Sequence, residues 1–202
     1  MPDFDIPQVY DFCLVLKQKL NIKRIESVLF SHYTVSVERK RIDTLPETTM
    51  IQEVKALLNE MTNASLIRLN IEADDWQDAV RKAAAPLVEN NKIKPGYVDE
   101  IINGVLELGP YIVITKHVAL PHARPEAGAL ESAIGIATLK HPIKFGNKDN
   151  DPVKYMFTLS ATDNIKHLNA LAEMAGLFEE KEFFDMLDRA NDPMEVMNYL
   201  NK

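Results

Sequence analysis

Hydrophobic residues in the first third of the chain recur with the spacing of two helices separated by one strand. Apolar side chains at helical intervals predict helices over residues 7–20 and 47–61, and alternating ones predict a strand over residues 25–37. The short polar segment 62–65 is typical of a linker. We therefore expect a helix–strand–helix extension over residues 1–62, followed by a separate domain.

The remaining residues, 63–202, alternate more densely between strand and helix patterns. Four strands are predicted, over residues 66–71, 111–114, 133–139 and 153–159. Five helices are predicted, over residues 76–87, 94–108, 164–178, 180–190 and 193–201. The first of these helices should start after Asp74 or Asp75 and kink or end at Pro86, because proline lacks an N–H group. This alternation indicates an α/β (α+β) fold, a mixed β-sheet flanked by helices.

Composition and charge narrow the class of protein. The chain has 202 residues, of which 46% are hydrophobic and 26% charged, and this excludes a disordered, collagen-like or coiled-coil protein. With 23 basic and 30 acidic residues the net charge is −7, which argues against direct nucleic-acid binding. The same negative charge is compatible with a basic protein partner.

Cysteine content and apolar run lengths predict a soluble, cytoplasmic protein. The single cysteine, Cys13, lies on the apolar face of a predicted helix, so we interpret it as a buried structural residue. No apolar run approaches the roughly 18 residues that a membrane span needs. The first residues, MPDFDIPQVYDF, carry acidic and no basic side chains and do not resemble a signal peptide.

The strongest candidate for chemistry is the segment 115–125, TKHVALPHARP, which directly follows a predicted strand. Pro121 and Pro125 restrict the backbone on both sides of His122, so a stiff, extended loop presents its imidazole. Such stiffness suits a nucleophile or phosphoryl carrier, which must be held in line with its reaction partner. Arg124, two residues on, can point the same way and neutralise phosphoryl oxygens.

A family resemblance rests on this segment and its surroundings. GPYIVITKHVALPHARP (109–125), the glycine-bearing strand AIGIATL and the segment DNIKHLNAL together resemble the enzyme IIA component of the sugar phosphotransferase system. The similarity is to the fructose–mannitol class, closest to its ascorbate-type branch, and covers roughly residues 64–202. It implies a mixed sheet covered by helices, in agreement with the predicted order of elements.

The resemblance also implies a function and a site. In that family, the histidine matching His122 accepts a phosphoryl group from the phosphohistidine of HPr and passes it to a cysteine of an enzyme IIB component. The histidine matching His167 hydrogen-bonds the phosphoryl group or orients the ring. The expected activity is that of a protein-histidine phosphotransferase with a phosphohistidine intermediate, with Arg124 stabilising the phosphoryl group. Because the group passes between proteins, no cofactor and no metal is expected.

The other histidines receive weaker interpretations. His32 and His141 are expected to be ordinary surface or core residues. The role of His117 stays open, since strand alternation would bring it near His122. A zinc site built from the four histidines of the second half is disfavoured, because their spacing matches no common zinc pattern.

Two alternatives concern the extension over residues 1–62. A fused IIB unit is rejected, because its cysteine would need a glycine-rich phosphate loop and all seven glycines lie between Gly96 and Gly176. A phosphorylation-sensing module of a transcription regulator stays open, and the extension could belong to such an assembly. The contacts with HPr and IIB should be transient. The sequence leaves the transported sugar open and is compatible with a homo-oligomer.

Overall fold

The structure is a computed structural model that describes residues 58–162, 174 and 177–202. The elements predicted over residues 1–57, with Cys13 and His32, lie outside the described residues, as does most of the predicted helix 164–178. Residues 58–61 are helical, in agreement with the helix predicted over residues 47–61.

A mixed β-sheet forms the centre of the described part of the chain. Its five strands are β1 Ile67–Ile71, β2 Val113–Thr115, β3 Val118–Ala119, β4 Ala133–Ile143 and β5 Val153–Ser160. They lie in the order β1-β4-β5-β3-β2. The pairs β1–β4 and β3–β5 are parallel, whereas β4–β5 and β2–β3 are antiparallel. The predicted mixed sheet is therefore confirmed.

Helices cover both faces of this sheet. The described helices are α1 Trp76–Glu89, α2 Pro95–Leu108, α3 Lys181–Arg189 and α4 Pro193–Leu200. The apolar faces of α1 and α2 share one buried cluster with Ala137 and Met156 of the sheet. Those of α3 and α4 share a second cluster with Ile136 and Phe157, which also includes Met174. Because side chains alternate along a strand, β4 and β5 each supply both clusters.

Local capping explains where the helices begin and end. The Asp75 carboxylate accepts a hydrogen bond from the Asp78 N–H (2.8 Å) at the start of α1. Gly109, with φ +83°, ends α2 in a conformation that favours glycine. Of the kink or end predicted at Pro86, the end does not occur, because the helix continues to Glu89. The Pro86 carbonyl still accepts bonds from the Asn90 N–H (3.0 Å) and Nδ2 (2.8 Å), which complete the last turn.

The strands differ from their predicted bounds near the histidine loop. Strand β2 starts at Val113 rather than at residue 111, because the Tyr111 N–H donates to the Gly109 carbonyl (2.8 Å) in a turn. Strand β3 was not predicted, since two residues are too few to show alternation. Strand β4 runs beyond residue 139 to Ile143, which pairs with Val153.

The polar segment 62–65, predicted to be a linker, contains a capped turn. Asn63 Oδ1 accepts a hydrogen bond from the Ser65 N–H (2.9 Å) at the start of the 3-10 turn Ala64–Leu66. Just before it, Leu58 is fully buried in the cluster shared with α3 and α4. Asn59 Nδ2 donates to Asn201 Oδ1 (2.7 Å). The residues that immediately precede the turn therefore pack against the end of the chain.

Candidate active site around His122

The backbone leading to His122 extends strand β3. The Leu120 N–H donates to the Ile112 carbonyl (2.8 Å), and the Leu159 N–H donates to the Pro121 carbonyl (2.9 Å). The loop is thus held on both sides, by the turn before β2 and by the end of β5. Since Pro121 itself has no N–H, its carbonyl is the group that bonds to β5. The stiff loop predicted from the two prolines has these bonds as a second source of rigidity.

The imidazole of His122 has a defined tautomer. Its Nδ1 lies 2.8 Å from the Leu120 carbonyl oxygen. A carbonyl can only accept, so Nδ1 carries the proton and the ring lone pair is on Nε2. The ring is half-buried, and loss of hydration lowers the pKa of His122, partly offset by the bond to Leu120. At neutral pH the ring is therefore uncharged.

Tyr111 packs against this ring. The two ring centroids are 5.6 Å apart at an interplanar angle of 90°, an edge-to-face arrangement. The Tyr111 hydroxyl donates a long hydrogen bond to the His122 carbonyl (3.5 Å). Gly104 of α2 leaves room for it, since a Cβ there would lie 3.0 Å from the hydroxyl oxygen. Loss of hydration raises the pKa of Tyr111 to about 12, so the hydroxyl stays protonated.

A second tyrosine, Tyr97 of α2, holds the residue after His122. Its hydroxyl accepts a bond from the Ala123 N–H (3.0 Å) and lies 2.8 Å from the Ala123 carbonyl and 3.0 Å from that of Leu159. Sequence reasoning missed both tyrosines. Tyr97 occupies an apolar position of an amphipathic helix, and Tyr111 follows Gly109-Pro110, so neither spacing indicates contact with the histidine.

The structure places the other histidines and the arginine considered for the site as follows. Arg124 is exposed and lies in extended backbone just before the 3-10 turn Pro125–Ala127. His167 lies outside the described residues, so its role stays a prediction. His141 is exposed on β4, as expected.

The hydrogen bonds of His117 are made to residues other than those around His122. The φ of His117, +68°, is left-handed, which breaks the strand alternation that would have placed the two rings together. Its N–H donates to the Asn150 carbonyl (2.9 Å), and its Nδ1 lies 2.7 Å from the Pro152 carbonyl oxygen. These partners precede β5, whereas the loop of His122 bonds to Leu159 near its end. His117 therefore holds the turn between β2 and β3.

The described part of the chain contains neither a metal-ligand cluster nor a membrane-spanning helix. Within residues 58–162, 174 and 177–202, no three histidine, cysteine or acidic side chains are grouped as they would be around a metal ion. No helix in the same part of the chain is long and apolar enough to cross a membrane.

Comparison with known proteins identifies the family. The sequence profile of the family described as "Phosphoenolpyruvate-dependent sugar phosphotransferase system, EIIA 2" matches residues 60–202. The chain belongs to this EIIA family. Its members act as phosphocarriers in the sugar phosphotransferase system, so the resemblance to enzyme IIA proposed from the histidine motif is confirmed.

Individual relatives agree with this EIIA assignment. The ascorbate-specific PTS system EIIA component of Escherichia coli K12 is 35% identical over 147 residues, 72% of this chain and 96% of that protein. The solution structure of the mannitol-specific cryptic phosphotransferase enzyme IIA of Escherichia coli matches with a TM-score of 0.63 and 30% identity, over 71% of this chain and 97% of that one.

A complex of a mannitol enzyme IIA with its phosphorylated enzyme IIB, also from Escherichia coli, contains the same fold. The TM-score is 0.61 at 20% identity, over 69% of this chain and 96% of that one.

Proposed function

We propose that His122 is the phosphoryl-accepting residue of this EIIA-family chain, which acts as a protein-histidine phosphotransferase. In this proposal, Nε2 of His122 takes a phosphoryl group from the phosphohistidine of HPr and passes it to the cysteine of an enzyme IIB component. The observation that carries the proposal is the hydrogen bond from Nδ1 to the Leu120 carbonyl (2.8 Å). It leaves the lone pair on Nε2, where a nucleophile needs it.

The acceptance step needs no proton transfer to His122. The Nε2 lone pair attacks phosphorus as the nitrogen–phosphorus bond of the donor phosphohistidine breaks, and the electron pair of that bond returns to the donor imidazole. The His122 ring keeps its proton on Nδ1 and gains positive character. The Leu120 carbonyl, already bonded to that proton, stabilises the charge because hydrogen bonds to charged donors are stronger than those to neutral ones.

The donation step is the reverse displacement with a different partner. A cysteine thiolate of IIB attacks the phosphorus, the Nε2–phosphorus bond breaks, and its electron pair returns to Nε2. His122 leaves as the neutral tautomer from which it started, ready for another cycle. A low pKa favours this departure, because a less basic ring is a better leaving group.

Arg124 and His167 complete the proposed site. The exposed guanidinium of Arg124, two residues from His122, would neutralise phosphoryl oxygens while a partner protein is docked. His167 would bond the phosphoryl group or orient the ring, as its family counterpart does. We place the phosphocarrier domain over residues 63–202, with residues 1–62 as an N-terminal extension whose role is left open.

A phosphorylation assay with mutated histidines tests the proposal. The full chain is incubated with phosphoenolpyruvate, enzyme I and HPr, and its intact mass is recorded. We expect the mass gain of a single phosphoryl group, which should be stable in base and lost in acid, as phosphohistidine is. His122→Ala should abolish the gain.

His141→Ala is the matched control, because it removes an exposed histidine from β4. It should be phosphorylated like the wild type, and transfer to a purified IIB should return both to the unmodified mass. Phosphorylation of His122→Ala at the wild-type rate would show that another residue is the acceptor.

A further inference from the structure

The hydroxyl of Tyr97 joins three backbone groups around the histidine loop. It accepts a hydrogen bond from the Ala123 N–H (3.0 Å), and its single proton lies between the carbonyl oxygens of Ala123 (2.8 Å) and Leu159 (3.0 Å). Both carbonyls are acceptors, so the proton is shared or alternates between them. One hydroxyl therefore connects helix α2, the residue after His122 and the end of strand β5.

Burial makes this contact hard to replace with water. Tyr97 is 0% exposed and lies among the apolar side chains between the sheet and the helices α1 and α2. Removing hydration raises the pKa of Tyr97 to about 12, so the hydroxyl remains a neutral donor and acceptor at physiological pH. A buried tyrosine hydroxyl normally has a hydrogen-bond partner, but here all the partners belong to a loop and a strand end rather than to side chains.

We propose that Tyr97 is a positioning residue that fixes the orientation of the His122 imidazole by holding the peptide bond between His122 and Ala123. The proposal rests on the proposed function of His122. The Ala123 N–H and the His122 carbonyl belong to the same peptide group; Tyr97 holds the first and Tyr111 contacts the second (3.5 Å). Rotation of this peptide group changes the ψ angle of His122 and thereby the position of the residue relative to α2 and β5.

The tautomer of His122 depends on this orientation. The Nδ1–Leu120 contact (2.8 Å) joins a side chain to a carbonyl only two residues earlier, so a small change in the backbone alters it. Without a well-placed carbonyl, the proton distributes between Nδ1 and Nε2, and the lone pair is no longer confined to Nε2. In-line phosphoryl transfer is sensitive to such misplacement.

The test compares two variants of the full chain, each lacking one tyrosine hydroxyl. Tyr97→Phe removes the contact with the loop. Tyr155→Phe is the matched control, because Tyr155 packs on the opposite face of the sheet, where its hydroxyl donates to Asp188 (2.6 Å). The single-turnover rate of phosphorylation by phospho-HPr and the ring 15N chemical shifts of His122, which report its tautomer, are measured for both.

We expect Tyr97→Phe to slow phosphorylation by about 10- to 100-fold, the scale of a misplaced reacting group. Its His122 ring nitrogens should report a mixture of tautomers, whereas Tyr155→Phe should keep the wild-type rate and spectrum. Wild-type rate and wild-type ring shifts in Tyr97→Phe would overturn the proposal.

Two further measurements distinguish failure of this proposal from failure of the proposed function and from a folding defect of the variant. If the wild-type chain is not phosphorylated on His122, the proposed function fails, yet the ring shifts still decide whether Tyr97 sets the tautomer. If Tyr97→Phe does not fold, amide hydrogen exchange of Ala123 in the wild-type chain decides. Protection of that amide supports the contact, and exchange at the rate of an unstructured peptide overturns it.

Discussion

His122 combines two properties that a reversible phosphoryl carrier needs. Its Nδ1 proton is bonded to the Leu120 carbonyl, and burial lowers the pKa of the ring below that of an ordinary imidazole. The first property directs the lone pair to Nε2, and the second keeps the ring neutral at physiological pH. The proline-flanked motif predicts the residue, but not the tautomer or the direction of the pKa shift, because both depend on contacts the motif does not contain.

The pH dependence of phosphorylation follows from the lowered pKa. Only the neutral ring accepts a phosphoryl group, so the rate should be constant at neutral pH and fall when acid protonates His122. Because the pKa of His122 is lowered, this fall should be centred below the ordinary value of about 6.5. Single-turnover rates with preformed phospho-HPr, together with an NMR titration of His122, measure it. A midpoint above that value would contradict the account.

Tyr111 gives a second prediction, in which its ring matters more than its hydroxyl. The edge-to-face contact with His122 has a centroid distance of 5.6 Å, whereas the hydroxyl bond is long at 3.5 Å. Tyr111→Ala should therefore slow phosphorylation by up to about tenfold, the equivalent of one aromatic pair. Tyr111→Phe should stay near the wild-type rate. Equal rates for Tyr111→Ala and the wild type would show that the ring does not support the imidazole.

At the scale of the elements, Gly135 of strand β4 lies directly against helix α1. A Cβ built on Gly135 would lie 2.3 Å from Leu87 Cδ1, and Leu87 is itself fully buried. The glycine thus provides the space that lets α1 lie close to the sheet. Sequence patterns predict the helix and the strand separately, but they do not indicate this contact.

Substitution of Gly135 should therefore destabilise the fold. Gly135→Ala forces Leu87 to move in a packed core, and we expect the free energy of unfolding to fall by about 1–3 kcal/mol. Gly96→Ala is the matched control, because a Cβ there meets nothing within 4 Å. It should be neutral or slightly stabilising. Urea denaturation measures both, and equal stability of the two variants would refute the close approach.

Helices and strands are predicted accurately where the element is long and its ends carry capping or terminating residues. Helix α2, with Pro95 at its start and Gly109 at its end, has both periodicity and terminal signals, and its bounds were predicted within a residue. Strands β2 and β3 are short, and the turn between them uses the left-handed residue His117. The pairing of β3 with the distant strand β5 is a tertiary effect that local patterns do not indicate.

At the scale of the whole molecule, Leu58 shows that the residues before the 62–65 turn are part of the packed core. It is 0% exposed and belongs to the cluster formed with α3, α4 and one face of the sheet. The sequence pattern predicts that the phosphocarrier domain starts at residue 63, whereas the family profile begins at residue 60. Neither position includes Leu58, although its side chain packs into the same core.

Leu58→Ala should accordingly destabilise the whole fold. Truncating a fully buried leucine typically costs about 2–5 kcal/mol of unfolding free energy. Asn59→Ala removes a surface hydrogen bond next to it and should cost no more than about 1 kcal/mol. Thermal or urea unfolding of the full chain compares the two. A loss of stability for Leu58→Ala no larger than for Asn59→Ala would mean that the core does not depend on residue 58.

One short motif carries the prediction of the candidate site. His122 and its stiff loop follow from residues 115–125, and family membership agrees with that interpretation. Tyr97 and Tyr111 could not be predicted, because Tyr97 reaches Ala123 and Tyr111 reaches His122 only after helix α2 and the turn at Gly109 pack beside the end of β5. The loop therefore owes its geometry to elements outside the motif.

The most direct test of the central claim is to locate the phosphoryl group on the ring. The chain, labelled with 15N in its histidine side chains, is phosphorylated through enzyme I and HPr, and the ring nitrogens are examined for coupling to 31P. We expect the phosphoryl group on Nε2 of His122, with the proton retained on Nδ1. A phosphoryl group on Nδ1 of His122, or on another residue, would contradict the account.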